Sequence, residues 1–159
     1  MLPAKSREYL LTGLSASPIV ASKLLSSATN VDYDFRPFSD RFTLREVVSH
    51  LADWEDIFFE RIVRMVTEDN PTLPDIDEGQ AAIDNDYAHM DPLVQLERYH
   101  TGRNRLVDYL RTVPDDMWQK PGLRPELGTI SVEILAVMIL GHDGYHTKQI
   151  AEWLDTMGS

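Results

Sequence analysis

Apolar residues recur every three or four positions along four long segments of this chain, and no run reads convincingly as a strand. The first helix is expected from about Ser6 to Ala28, carrying Leu10, Leu11, Leu14, Ile19, Val20, Leu24 and Leu25. Pro18 falls in its middle. The helix either kinks there or breaks and restarts with Ser17 as cap and Pro18 as first residue. The second helix has a sharper start. Thr43 and Glu46 have the spacing of a capping box, Phe42 and Val47 can staple the first turn, and the apolar stripe runs to about Val66. Asp91 followed by Pro92 opens the third helix, which ends before Pro114. The fourth begins near Thr129 to Ser131 and continues to about Thr156.

Four helices of this length predict an all-α fold, a four-helix bundle formed as one domain over residues 1–159. Between the second and third helices lies an acidic, turn-rich connection, Thr67 to His89, long enough to act as a lid over a site or to be a solvated link. A shorter stretch, "PDDMWQKPGLRPELG", joins the third and fourth.

Composition narrows the chemistry. The chain has no cysteine, which excludes disulfides, thiolate metal sites and cysteine nucleophiles, and leaves histidine and carboxylate as the strong metal ligands. With 26 acidic against 15 basic residues the formal net charge is −11, and no basic cluster of the kind that tracks a phosphate backbone is present, so no nucleic-acid partner is expected. No segment is long and apolar enough for a signal or a membrane span, so a cytoplasmic location with no membrane contact is expected.

The inward stripe of the fourth helix contains Val132, Leu135, Ile139, Ile150 and Trp153, and His142, Asp143 and His146 fall within it. On the second helix the stripe is Leu44, Val47, Leu51, Trp54, Phe58 and Met65, with His50 at its edge. Imidazoles at i and i+4 can share one ion, and a third from another helix would complete three ligands while leaving a coordination position open. The same spacing also suits core histidines with ordinary hydrogen bonds. Of the other two histidines, His89 lies in the acidic connection and His100 on the third helix's inward stripe. Gly141 and Gly144 each cost a helix about 1 kcal/mol and are expected to permit close packing or a bend.

"FTLREVVSHLADWEDIFFERI" (Phe42 to Ile62), followed by "GHDGYHTKQIAEWL" (Gly141 to Leu154), resembles the DinB/YfiT-like superfamily, with a histidine early in the second helix and an H-x-x-x-H pair in the fourth. The resemblance implies an up-down-down-up bundle that binds a divalent metal, nickel or zinc, through His50, His142 and His146. It also implies a homodimer, and a small-molecule reaction of one of two kinds: hydrolysis, or S-transfer with a low-molecular-weight thiol. Phe42 stands where a tryptophan often precedes the second helix, a change that touches no ligand.

An open metal position would activate water or a thiol. Asp143 is the candidate base, or else orients an imidazole. Arg103 could clamp a substrate carboxylate or be ion-paired within the bundle. Trp54, Gln149 and Trp153 either line the substrate cavity or belong to the core. The alternative to an enzyme is a non-catalytic metal-containing bundle that binds a small molecule or protein partner.

Overall fold

A computed structural model describes residues 2–158 and places the helices α1 (Ala4–Ser27), α2 (Leu44–Thr67), α3 (Glu78–Asp84), α4 (Pro92–Thr112) and α5 (Val132–Met157). Two four-residue strands, β1 (Pro121–Arg124) and β2 (Gly128–Ser131), pair antiparallel before α5.

Local chemistry sets the helix starts. The Thr43 hydroxyl accepts from the Glu46 amide at 3.1 Å, and the Glu46 carboxylate accepts from the Thr43 amide at 2.7 Å, so the capping box is complete. Asp91 caps α4 through the Leu93 and Val94 amides, and Ser131 caps α5 through the Ile134 amide.

Contacts near the helix ends give the direction of each helix. Arg45, at the start of α2, donates to the Met90 carbonyl just before α4, so these neighbours are parallel. Gly13 packs on Leu140 and the Leu2 amide on Glu133, so α1 and α5 are also parallel. Arg7 pairs with Asp115 and Ser22 with His100, which makes α1 and α4 antiparallel. His50 meets His142, and the Trp153 indole donates to the Phe42 carbonyl, which makes α2 and α5 antiparallel. The bundle is therefore up-down-down-up, with α1 and α2 on a diagonal.

The hairpin corrects the expectation of no strands. Its two short strands carry Pro121, Gly122 and Gly128, and too few residues to show alternation. Gly128 takes φ +82°, a conformation that suits glycine at the turn. The connection from Thr67 to His89 is more ordered than its composition suggests. It holds α3 and a 3-10 turn at Tyr87–His89. The Leu73 amide donates to the Leu123 carbonyl and the Leu123 amide to the Pro71 carbonyl, across a bridge to β1, and the buried Tyr87 donates to Asp53 at 2.7 Å. Ile19 and Val20, named among the apolar residues of the first helix, are exposed.

The core is split. One apolar cluster gathers Leu10, Leu14, Trp54, Phe58, Ile62, Leu106, Leu135 and Ile139. A second gathers Ala21, Leu25, Val47, Leu51, Leu96, Tyr99, Ile150 and Trp153. Between them lies a buried polar layer of Ser17, His50, Glu55, Arg103, Asp143, His146 and Gln149, with His142 at its edge.

Pro18 belongs to this layer. The helix does not break there: α1 is continuous, and the Ser17 hydroxyl donates to the Gly13 carbonyl instead of capping a new helix. Proline has no N–H to give to the carbonyl four residues back. The carbonyl so released is that of Leu14, and Arg103 donates to it at 2.9 Å.

Gly102 lets α4 approach α2 at the same level. A Cβ there would stand 2.6 Å from the Glu55 Cβ and 3.0 Å from its Cγ. Gly102→Ala is therefore expected to destabilise the chain by about 1–3 kcal/mol through overpacking, with about 1 kcal/mol of helix propensity acting against that cost. Urea unfolding measures the balance, and an unchanged or raised midpoint would show that the two helices can separate freely. Gly141 and Gly144 behave otherwise. A Cβ at either meets nothing within 4 Å, so neither is required for close packing in this fold.

Candidate metal centre and its pocket

Antiparallel packing of α2 on α5 brings three imidazoles together. His50 is wholly buried, His146 is 4% exposed, and His142 lies at the boundary of the core. One ring nitrogen from each lies within 4.8 Å of the others. His50 Nε2 and His142 Nε2 are 2.9 Å apart. Trp54 packs on the His50 ring with centroids 4.1 Å apart, and Phe58 meets His142 edge-on at 5.3 Å. Gln149 Oε1 lies 2.9 Å from His146 Nδ1, which leaves Nε2 of that ring for another partner.

The ring nitrogens are incompletely satisfied by protein groups. Two neutral imidazoles carry two donors and two acceptors, and the single contact between His50 and His142 uses one of each. Their buried Nδ1 atoms have no hydrogen-bond partner, at a cost of about 1–3 kcal/mol per unsatisfied group. Burial, then the positive charges that His146 and His142 would carry, push His50 down to about 2. Burial, then His142, push His146 down to about 4, against the effect of Gln149. Neutral imidazole is the form that binds metal, so these residues fit a divalent ion.

Beside the histidines, Arg103 has no exposure and spends all five donors. Nε and one Nη2 proton go to Glu55, at 3.1 and 2.5 Å. The other Nη2 proton goes to Asp143 Oδ1 at 2.9 Å, and Nη1 donates to Asp143 Oδ2 and the Leu14 carbonyl. Burial alone would raise the Asp143 pKa, but the Arg103 bonds and charge hold it below the ordinary carboxylate range. Glu55 goes the other way. Burial dominates, Arg103 offsets it only in part, and Asp143 adds repulsion, so Glu55 is pushed up to about 7. One guanidinium compensates one carboxylate fully, and of the two it is Glu55 that more readily takes up a proton.

A folded pKa raised above the unfolded 4.5 means stability that is present below pH 4.5 and lost as pH rises through about 7. Glu55→Gln removes this contribution. Between those limits its unfolding free energy is expected to change with pH more positively than the wild type, by up to about 1.4 kcal/mol per pH unit. Parallel profiles from urea unfolding would show that Glu55 is ionised throughout.

The triad is not sealed. His142 lines a cavity of about 170 Å³ with Trp54, Phe58, Arg61, Ile76, Glu78, Arg124, Leu135 and Met138. Ile76 and Glu78 come from the acidic connection, which thus forms part of the wall and is pinned to β1 and α2.

A family model described as the DinB superfamily matches residues 14–150. The chain belongs to the DinB superfamily. No curated protein sequence matches it. Among solved DinB-like structures, YfiT from Bacillus subtilis, described as a probable metal-dependent hydrolase with an unusual four-helix bundle topology, aligns with TM-score 0.89 at 23% identity. The alignment covers 99% of this chain and 91% of that one. A mycothiol-dependent maleylpyruvate isomerase aligns with TM-score 0.75 at 16% identity, covering 94% of this chain and 61% of that one. The DinB-like protein YjoA of Bacillus subtilis aligns with TM-score 0.64 at 14% identity, covering 95% and 93%. These likenesses establish the DinB-like bundle.

Within this DinB-superfamily fold the residues singled out from sequence are distributed unevenly. His50, His142 and His146 converge. Trp54 forms both the wall of the cavity and the bed of His50. Asp143 is a fixed anion held by Arg103, poorly suited to accept a proton, and its Oδ1 lies 3.8 Å from His142 Nδ1. Arg103 has no donor left for a substrate. Gln149 holds His146, and Trp153 packs in the second apolar cluster with its N–H on Phe42. His100 bonds Ser22 far from the cavity, and His89 is exposed beside Asp86. The sequence reading missed Glu55 and the cavity residues Phe58, Arg61, Arg124, Leu135 and Met138. Arg61 had a signal: it continues the Trp54–Phe58 stripe at i+7 and i+3.

Proposed function

We propose that this DinB-superfamily chain is a metal-dependent enzyme in which His50, His142 and His146 hold one divalent ion beside a small-molecule cavity, with hydrolysis as the reaction type. The observation that carries the reading is the convergence of His50 and His146, both buried and held neutral, with His142, which opens onto a cavity with mixed aromatic and charged walls. Bound there, a divalent ion supplies the Lewis acidity that makes water or a thiol nucleophilic near neutral pH. The protein's own part is to fix the ligands. Gln149 sets the His146 ring, Trp54 and Phe58 confine His50 and His142, and Asp143, anchored by Arg103, puts a permanent negative charge beside His142. Trp54, Phe58, Leu135 and Met138 give the cavity its apolar walls, and Glu78 places a carboxylate on its rim.

YfiT's description as a probable metal-dependent hydrolase supports water as the nucleophile. A second reading, thiol-dependent transfer or isomerisation, is supported by the fold likeness to the mycothiol-dependent isomerase. Untagged protein purified without chelator is expected to carry stoichiometric nickel or zinc, lost in His50→Ala and His146→Ala. Metal-free protein, with both variants keeping native stability, would overturn the reading. Amide and ester substrates, run beside thiols with electrophiles, separate the two reactions, and silence across both panels would leave a metal-containing bundle that binds without catalysis.

A further inference from the structure

Arg61 is the unusual group in the cavity. It is 7% exposed, yet among the described residues it makes a single hydrogen bond, from Nη2 to the Pro74 carbonyl at 2.7 Å, and has no ion-pair partner. Arg124 stands on the same wall, but its charge is already answered: Nε and Nη2 both donate to Asp75 Oδ1, while Asp75 Oδ2 accepts from the Glu126 amide. Burial, then the positive charge of Arg124, lower the Arg61 pKa to about 10, with Asp75 and Glu60 working against that shift, so the guanidinium stays charged at neutral pH. No Arg61 nitrogen is a buried atom left without a partner, so its remaining donors are open to a group that enters the cavity it lines. The remaining charged group of the wall is Glu78, which is exposed and solvated.

We infer that Arg61 is the anchor for a carboxylate on the substrate of this cavity, whose apolar or aromatic body lies against Trp54, Phe58, Leu135 and Met138 beside His142. The inference rests on the proposed metal site only for the chemistry that follows binding; the anchor itself depends on Arg61. Guanidinium and carboxylate match as a planar pair, and in a chain with net charge −11 an arginine left without an acid is a selective feature. A monoanion is favoured over a dianion because Asp75 and Glu78 stand close by. At about 170 Å³ the cavity suits a compact organic acid.

The test is a titration of tryptophan fluorescence or amide NMR shifts with benzoate, phenyl phosphate and the neutral isostere benzamide. It is run on zinc-loaded and on chelator-treated full chain. Benzoate is expected to bind wild type at least tenfold more tightly than benzamide. Arg61→Gln is expected to abolish that preference while leaving benzamide affinity within twofold, in both zinc-loaded and chelator-treated protein. Arg61→Lys should recover part of it. Arg124→Gln provides a variant that leaves Arg61 in place: it frees Asp75 to neutralise Arg61 and should weaken benzoate without touching benzamide. Equal binding of benzoate and benzamide, or benzoate affinity unchanged in Arg61→Gln, overturns the anchor even if zinc binds. Tighter phenyl phosphate than benzoate overturns the assignment to a carboxylate. Preference for benzoate through Arg61 in a chain that takes up no metal would uphold the anchor while the metal reading fails.

Discussion

Arg103→Met is expected to destabilise the chain by about 3–5 kcal/mol in urea unfolding at neutral pH, the largest single-residue effect the fold predicts. Glu55 and Asp143 would both remain buried without a counter-charge, and Pro18 has no N–H to return to the Leu14 carbonyl that Arg103 leaves behind. Three unpaired groups from one substitution explain why the cost exceeds that of an ordinary ion pair. Arg103→Lys restores the charge but only three donors on a flexible stem, so it is expected to recover a minor part of the loss. A variant within about 1 kcal/mol of wild type would show that the cluster does not carry this share of the stability. Replacing Arg103, Glu55 and Asp143 together with apolar residues is a different experiment. Stability is expected to return, since buried ion clusters often cost as much to desolvate as they give back, while His142 loses its neighbouring anion.

The second large effect concerns the triad. At a hundredfold excess of zinc or nickel over its dissociation constant, binding to the folded state adds about 2.7 kcal/mol, which for a chain of this size raises the thermal midpoint by roughly 5–10 °C. His50→Leu should lose that shift entirely. Its metal-free form is expected to be as stable as the metal-free wild type or more so, because the substitution removes a wholly buried imidazole with an unpaired nitrogen. Scanning calorimetry with and without chelator reads both quantities. A wild-type midpoint indifferent to either ion would count directly against the metal site, whatever the variant does.

Much of the frame was legible because it is written in local rules. The Thr43–Glu46 box, the Asp91–Pro92 start and the stripes through Leu51, Trp54 and Phe58 depend on neighbours within one or two turns. The convergence of His50 with His142 and His146 followed from two such stripes facing each other. Features that failed to show depend on distant partners. Glu55 shares the α2 stripe with Leu51 and Phe58, but nothing near it in sequence announces Arg103, 48 residues on. Pro18 reads locally as a helix breaker, and its use becomes visible only once Arg103 occupies the Leu14 carbonyl. The hairpin is held by β1 against β2 and by the bridge from Thr72 to Leu123, with strands too short to carry a period. Arg61 was readable as an arginine on an apolar stripe, whereas its lack of an acid partner required knowing that Asp75 is committed to Arg124.

The polar layer between the two apolar clusters also bears on how the helices find their alignment. Leucine-rich faces slide against one another at modest cost, and a shift of one turn is about 5.4 Å. Such a shift of α4 would drive Arg103 into either the Leu106 level or the Tyr99 level and strand both carboxylates. A single buried polar position can thus fix axial register where hydrophobic packing alone is permissive, at some expense in stability. Here the residues that hold the register lie beside the triad, so the alignment that brings His50 to His142 and His146 is fixed by the same contacts that hold Asp143 beside His142.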